Sequence, residues 1–296
     1  MHDKIVRIRE IIKRTTPVML YASLQSIEYR LFFSTYDKNR LVLNSIQKSG
    51  THYLRMLITN YLFCTYHNIS QRISYKDMDE MHFPNVRESL FNRTKQTRYI
   101  YPIANNPIKR TPYEDFVCGH STSYLNISSA SRIIHLYRNP FDYIVSKFYY
   151  SYKNRPERSS WYGHPRDVID MELAVYIPHY KYMKEIAEKR TDVLRIPYEI
   201  LIRNPFDILL FILNWANIDI DIQSIKQAVE FSDKEHVRKE EYELGKAIVA
   251  PDGYKGSFIR SGKIGEWKDY FSSEDRRKIE NMLRENGLNL SEFILD

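Results

Sequence analysis

The chain has 296 residues, with 44 Lys and Arg against 37 Asp and Glu for a net charge of +7, and it is 43% hydrophobic and 27% charged. That composition excludes a disordered, collagen-like or low-complexity chain and supplies core for one large α/β domain or two small ones. Cys64 and Cys118 stand in no Cys-x-x-Cys or Cys/His spacing, which excludes a disulfide framework and a zinc site of that type and makes a reducing compartment the simplest expectation.

Charges interrupt every apolar run in the first twenty residues, so the pattern of a signal peptide is missing. No stretch approaches the roughly 20 apolar residues that span a bilayer. A soluble, cytoplasmic protein without a transmembrane segment is expected, with peripheral membrane contact left open. The sequons at Asn68, Asn92, Asn126 and Asn289 then read as chance matches. The positive excess favours an anionic partner without separating nucleic acid, membrane surface and phosphorylated small molecule.

No repeat or linker divides the chain, which reads as an N-terminal helical extension over residues 1–37 and one domain over 38–296. The extension is expected to be helical around Lys4 to Lys13 and to break at Pro17. The run Leu41, Val42, Leu43 predicts a strand, turning polar at Asn44 and reaching the loop Gln47-Lys48-Ser49-Gly50-Thr51. Leu54, Leu57, Ile58, Tyr61 and Leu62 follow at the spacing of a helix with one buried face.

The pattern recurs at Ile133 to Tyr137, a strand, and Arg138-Asn139-Pro140, which opens a helix with Pro140 in its first turn. A third strand is expected at Asp192 to Ile196, then the turn Arg203-Asn204-Pro205 and an apolar helix through Trp215. Further helices are expected over Asp170 to Lys189, Ile222 to Phe231 and Ser273 to Glu285. The last has a capping-box pattern from Ser272 to Asp275 and a stop at Gly287. Alternating strands and helices predict an α/β fold, a parallel sheet flanked by helices on both faces. In such sheets ligands bind at the carboxyl ends of the strands, which directs attention to loops 44–51 and 138–140.

Lys48, Ser49, Gly50 and Thr51 bring a cation, two hydroxyls, a glycine and backbone N–H groups to a helix start, the ingredients of an anion site. An ordinary turn capped by Thr51 would use the same residues. The loop is not a Walker A sequence, because Lys48 precedes the glycine. Arg138, at a strand end, and Ser146, two turns into the next helix, are placed to meet one phosphate or to be a surface arginine and a helix serine. The segment Gly256 to Lys268 holds three of the nine glycines with two lysines and an arginine. It can fold over an anionic ligand, or be a basic loop anchored by Trp267.

At these three places the chain resembles the sulfotransferases that use 3'-phosphoadenosine-5'-phosphosulfate (PAPS). QKSGTHYLRMLI at 47–58 resembles the family's 5'-phosphosulfate loop, YRNPFDYIVSKFYY at 137–150 its 3'-phosphate motif, and FIRSGKIGEWKDYF at 258–271 the segment that closes over the donor. The resemblance implies a P-loop-like nucleotide-binding scaffold, PAPS as donor co-substrate and no metal. It implies that Lys48, Ser49, Gly50 and Thr51 bind the 5'-phosphosulfate, with Lys48 beside the bridging oxygen. Arg138 and Ser146 would hold the 3'-phosphate, joined by Arg260, Ser261 and Gly262. Tyr53 stands for a family tryptophan near adenine, and Tyr198 resembles a second adenine contact. His120 stands where the family's catalytic base often lies, with Glu114 and Asp115 as alternative bases.

The chain departs from the family at Cys118 and Gly119, where a lysine and a threonine are expected, at His52 for the second loop threonine, and at Ser261 for a lysine. Ser272 and Ser273 leave the dimer motif degenerate, so the oligomeric state stays open.

The implied reaction is in-line sulfuryl transfer to a hydroxyl or amine. Lys48, the loop N–H groups and His52 would stabilise the leaving phosphate, and His120 would take the acceptor's proton. The acceptor is expected to be a carbohydrate or glycoconjugate, with a phenol, alcohol or lipid as the alternative; Tyr149, Tyr150, Trp161, Tyr162 and His164 either stack on and hydrogen-bond a sugar or serve as surface loop anchors. Two other readings compete: a nucleotide-binding protein without transfer, motivated by Cys118, and a nucleic-acid-binding protein. The latter ranks last because the basic residues fall in ligand loops rather than on one surface.

Overall fold

The structure, a computed structural model, describes residues 40–67, 71–74, 78, 110–113, 115–120, 132–244, 253–257 and 259–294. The expected extension over 1–37, Glu114, the sequons at 68, 92 and 126, and most of residues 63–115 lie outside the described residues.

Four parallel strands form the sheet: β1 (Arg40–Ser45), β2 (Asp115–Gly119), β3 (Arg132–Tyr137) and β4 (Val193–Pro197), in the order β2-β1-β3-β4. β1, β3 and β4 have apolar side chains on both faces, as a sheet buried on two sides requires. Leu41, Leu43, Cys118, Ile134, Leu136 and Ile196 face one core with Leu54, Leu57, Ile58 and Tyr61 of α1 (Thr51–His67). Val42 and Ile133 face the other way, toward Met183.

Between β3 and β4 run α2 (Pro140–Phe148) and α3 (Ile169–Lys189), and after β4 come α4 (Tyr198–Arg203), α5 (Pro205–Trp215) and α6 (Ile222–Phe231). Leu209, Ile212 and Leu213 of α5 and Ile225 and Ala228 of α6 complete the α1 side of the core. α7 (Lys234–Leu244) and α8 (Ser273–Glu285) close the described chain. α8 carries the expected capping box, with Ser272 Oγ accepting from Asp275 N at 3.2 Å and Asp275 Oδ2 from Ser272 N at 3.0 Å. Among the described residues no helix is long and apolar enough to cross a membrane.

Three elements differ from the sequence expectation. A short helix, α4, occupies the stretch after β4 that was expected to run on to a turn at 203–205, and Asn204 joins it directly to α5. α7 was not expected: it buries little beyond Val237 and Glu241, so it shows no apolar stripe. A turn of π-helix, Tyr149–Lys153, extends α2.

One register layer of the sheet is polar: Gly119, Asn44, His135 and Arg195 pair across all four strands. Asn44 Nδ2 donates to Met183 Sδ at 3.1 Å and His135 stacks on His179 at 5.5 Å. Burial holds both imidazoles below their ordinary range, His179 at about 3, so the layer is neutral at these positions. The next residues, Ser45 and His120, begin the carboxyl-edge loops.

Candidate functional site

Between β1 and α1 the chain turns tightly. Lys48 and Gly50 both have positive φ, 65° and 86°. Gly50 is required, since a Cβ there would lie 2.7 Å from Tyr198 Cδ2. Lys48 has no such latitude, and an L residue held in the left-handed region costs about 1–2 kcal/mol. Its Nζ sits 4.3 Å from the centre of the Tyr150 ring. Burial, reinforced by the charges of Lys147, Arg138 and Arg260, pulls the Lys48 amine down to about 7. Ser49 is fully buried, and its Oγ has no hydrogen-bond partner among the described residues.

Arg138 leaves the end of β3 with its guanidinium 4.5 Å over the Tyr198 ring, and its Nη2 donates to Lys263 O at 2.6 Å. Its Nε has no partner among the described residues. Asn139 caps α2 by accepting from Asp142 N at 2.8 Å, and its amide donates to Asp142 Oδ2 and Glu199 Oε1, both at 3.0 Å. Burial raises the Glu199 pKa, against the pull of the Asn139 N–H, 3.0 Å from Oε1.

Asp142 then reaches across to the segment before α8. Oδ2 accepts from Gly265 N at 2.8 Å, Oδ1 accepts from Trp267 N at 3.0 Å, and Arg138 stands 3.6 Å away. Trp267 is buried against Phe141 with ring centres 4.7 Å apart. The closing segment is therefore clamped to the start of α2, and Gly262 O lies 3.4 Å from Tyr198 Oη.

His120 follows β2 directly. Its Nδ1 lies 3.0 Å from both Ser45 O and Ser45 Oγ, and Ser45 Oγ lies 2.6 Å from Thr51 Oγ1. A carbonyl oxygen only accepts, so the contact with Ser45 O puts the imidazole proton on Nδ1 and the lone pair on Nε2. Asp115 begins β2, in backbone register with Arg40 at the end of the strand away from His120.

Thus Lys48, Ser49, Gly50, Thr51, His52, Tyr53, His120, Arg138, Tyr198 and Gly262 gather on one edge of the sheet. Burial, with the charges of Asp233 and Tyr198, pushes the Tyr53 hydroxyl up to about 12, so it stays a neutral donor. Ser146 is half-buried on α2, beside Lys147, whose amine donates to Gln47 at 2.7 Å. Arg260 comes close but is a paired cation. Both terminal nitrogens meet Glu266, and the guanidinium lies 4.2 Å over the Tyr149 ring. Ser261 Oγ also donates to Glu266, at 2.6 Å. Burial opposes ionisation of Glu266, yet these bonds hold its pKa below the ordinary value.

Four of the five aromatic residues expected to stack on an acceptor make contacts within the fold. Tyr149 and Tyr150 lie under Arg260 and Lys48, Tyr162 packs on Tyr152 at 5.0 Å, and His164 caps the turn Pro165–Val168. Trp161 stays 55% exposed with Arg158 over its ring.

Asp142, Glu199, Glu266, Lys147 and Arg55 were not singled out from the sequence. Asn139 and Asp142 do stand at N-cap and N3 spacing, a readable signal.

The profile of the sulfotransferase domain matches residues 38–289. The 3-beta-hydroxysteroid sulfotransferase of Cavia porcellus is 22% identical over 180 residues, covering 53% of this chain and 56% of that protein. Cytosolic sulfotransferase 1 of Danio rerio is 24% identical over 163 residues, covering 52% and 53%. The chain spans about half the length of the curated relatives it matches. Among solved structures, retinol dehydratase with retinol and PAP aligns at a TM-score of 0.64 and 17% identity, over 90% of this chain and 85% of that one. A mouse sulfotransferase complexed with PAP aligns at 0.62 and 18%, over 90% of each chain. At such identities the likeness establishes the fold, the α/β arrangement described above.

Asp142→Ala would leave the buried N–H of Trp267 and the N–H of Gly265 without their acceptor. The expected loss is about 2–4 kcal/mol of unfolding free energy, read as a lower urea midpoint at unchanged slope. A loss under about 0.5 kcal/mol, the range of an ordinary surface substitution, would contradict the clamp.

Proposed function

The chain belongs to the sulfotransferase domain family, and on that premise we propose that it moves a sulfuryl group from PAPS to a hydroxyl or amine of an acceptor. The observation that carries this reading is the set of cations around Lys48. Burial first, and then the charges of Lys147, Arg138 and Arg260, depress its amine against the opposing charge of Glu241, and a bound polyanion would favour the ammonium form. Ser49 Oγ and Arg138 Nε, buried and without protein partners among the described residues, suit phosphate oxygens of the same ligand. When bound, PAPS supplies the transferable sulfuryl group and a phosphate leaving group.

In this reading Lys48, Ser49, Thr51 and the N–H groups at the start of α1 bind the 5'-phosphosulfate, and charge growing on the leaving phosphate is met by Lys48. Arg138 and Ser146 hold the 3'-phosphate. Tyr53 and Tyr198 flank the base. Arg260 and Ser261, already bonded to Glu266, hold the closing segment over the donor. His120 Nε2 takes the acceptor's proton as the acceptor oxygen bonds to sulfur and the bridging oxygen leaves with PAP. None of these steps calls on a metal.

For the acceptor, a phenol, alcohol or lipid hydroxyl is favoured over a sugar, because Tyr149, Tyr150, Tyr162 and His164 are committed within the fold. The relative named for 3-beta-hydroxysteroids agrees with that order. Cys118, buried and uncharged, favours a second reading, a protein that binds the nucleotide without transfer.

Radiolabelled PAPS incubated with sterol, phenol, aliphatic alcohol and sugar acceptors should give labelled product with the hydroxyl-bearing apolar compounds. His120→Ala should lower kcat by about 10²–10⁴ while PAP affinity stays within about threefold. PAP binding without labelled product from any acceptor would replace transfer by the second reading.

An amine poised near 7 is protonated in about half of the unliganded molecules at pH 7, and a bound anion favours the ammonium form. PAP affinity should therefore fall as pH rises from about 7 to 9, at most about tenfold per unit, with proton uptake of about half a proton at pH 7. The uptake is read from binding enthalpies in buffers of different ionisation heat. Affinity independent of pH over this window in wild type, as in Lys48→Met, would contradict this role for Lys48.

A further inference from the structure

His52 and Arg55 lie one turn apart on α1, the spacing at which helical side chains meet. Arg55 is almost completely buried, 1% exposed, and its Nη1 lies 3.0 Å from His52 Nδ1. A guanidinium has donors only, so Nδ1 must accept, and the single imidazole proton must sit on Nε2. The His52 ring is near enough to His120 and Lys48 for their charges to act on it. It follows Thr51, which bonds Ser45 Oγ and through it His120. Burial, and then the charges of Arg55, His120 and Lys48, hold the imidazole well below its ordinary pKa.

We propose that Arg55 is a positioning residue for the transfer step, fixing His52 as the neutral Nε2–H tautomer so that this N–H donates to the leaving phosphate of the donor. The assignment rests on the sulfotransferase reading above. It explains two features together: a guanidinium 1% exposed on a helix whose sequence carries no acidic residue, and a histidine at the head of a helix whose N-terminal field favours anions. A neutral donor polarised by a buried cation adds hydrogen-bonding power at the leaving oxygen without placing another ammonium beside Lys48. Cys118, buried in the core on the neighbouring strand, brings no charge to this point.

Nitrogen-15 NMR of histidine-labelled full-length protein tests this directly. In the unliganded wild type, His52 should show a protonated Nε2 and an unprotonated Nδ1 at every pH from about 5 to 9, with the Nε2–H signal moving on addition of PAP. Arg55→Met should mix the tautomers and lower kcat about 10- to 100-fold with PAP affinity within about threefold. Arg55→Gln, whose amide N–H can still donate to Nδ1, should restore most of both. A proton on Nδ1 in wild type, titration within that pH range, a silent Nε2–H signal on PAP binding, or unchanged kcat in Arg55→Met would each overturn the proposal. The tautomer is read without turnover and needs no variant to fold. Absence of wild-type turnover with every acceptor would sink the sulfotransferase reading, and with it the role in transfer, while leaving the tautomer assignment standing.

Discussion

The site depends on one buried carboxylate. Asp142 accepts from Asn139 at the head of α2, from the backbone of Gly265 and Trp267, and lies beside Arg138. These partners come from stretches of chain more than a hundred residues apart, and they meet because a fully desolvated carboxylate must satisfy its lone pairs. Asp142 thereby fixes where Arg138 points and where the segment 259–267 crosses the edge of the sheet. Glu199 supports the same junction from α4 through Asn139. The closing segment is held by main-chain hydrogen bonds to a rigid helix start, and by Trp267 on Phe141.

Around that frame the protein concentrates unfavourable terms. Lys48 is half-buried in the left-handed region with its amine near 7, and Ser49 Oγ and Arg138 Nε are buried without protein partners among the described residues. Each costs stability in the unliganded protein, and in the proposed function phosphate oxygens would meet the Lys48 charge and the two unpartnered polar groups. This is the expected signature of a site tuned to its ligand rather than to the fold. The surrounding terms that bear the cost are ordinary: a four-stranded sheet packed on both faces and the aromatic cluster of Phe141, Trp267, Tyr176 and Tyr180.

Much of the fold was legible because local signals agree with the tertiary structure. The runs at 41–43 and 133–137, Pro140 at a helix start, and the Ser272 to Asp275 capping box all became the expected elements. The loop at 47–51 and Arg138 also came to one edge, as the strand-end rule requires. What stayed hidden is non-local or aperiodic. α7 lacks a stripe. Nothing near Asp142 in the chain announces acceptance from residues beyond 260, and Glu266 shares a loop with Arg260, where no periodicity reveals that the two are paired. Arg55 was readable at i+3 from His52, but an arginine inside a helix looks like a solvated residue until its burial is known.

The central claim is a site built for a nucleotide carrying both a 5' and a 3' phosphate. Titration calorimetry of PAP against AMP, on wild type and Arg138→Ala, tests it most directly. One additional charge-assisted phosphate contact is worth about 1.5–3 kcal/mol, so PAP should bind about 10- to 100-fold tighter than AMP, and Arg138→Ala should erase most of that difference. Equal affinity of the wild type for PAP and AMP would contradict the account.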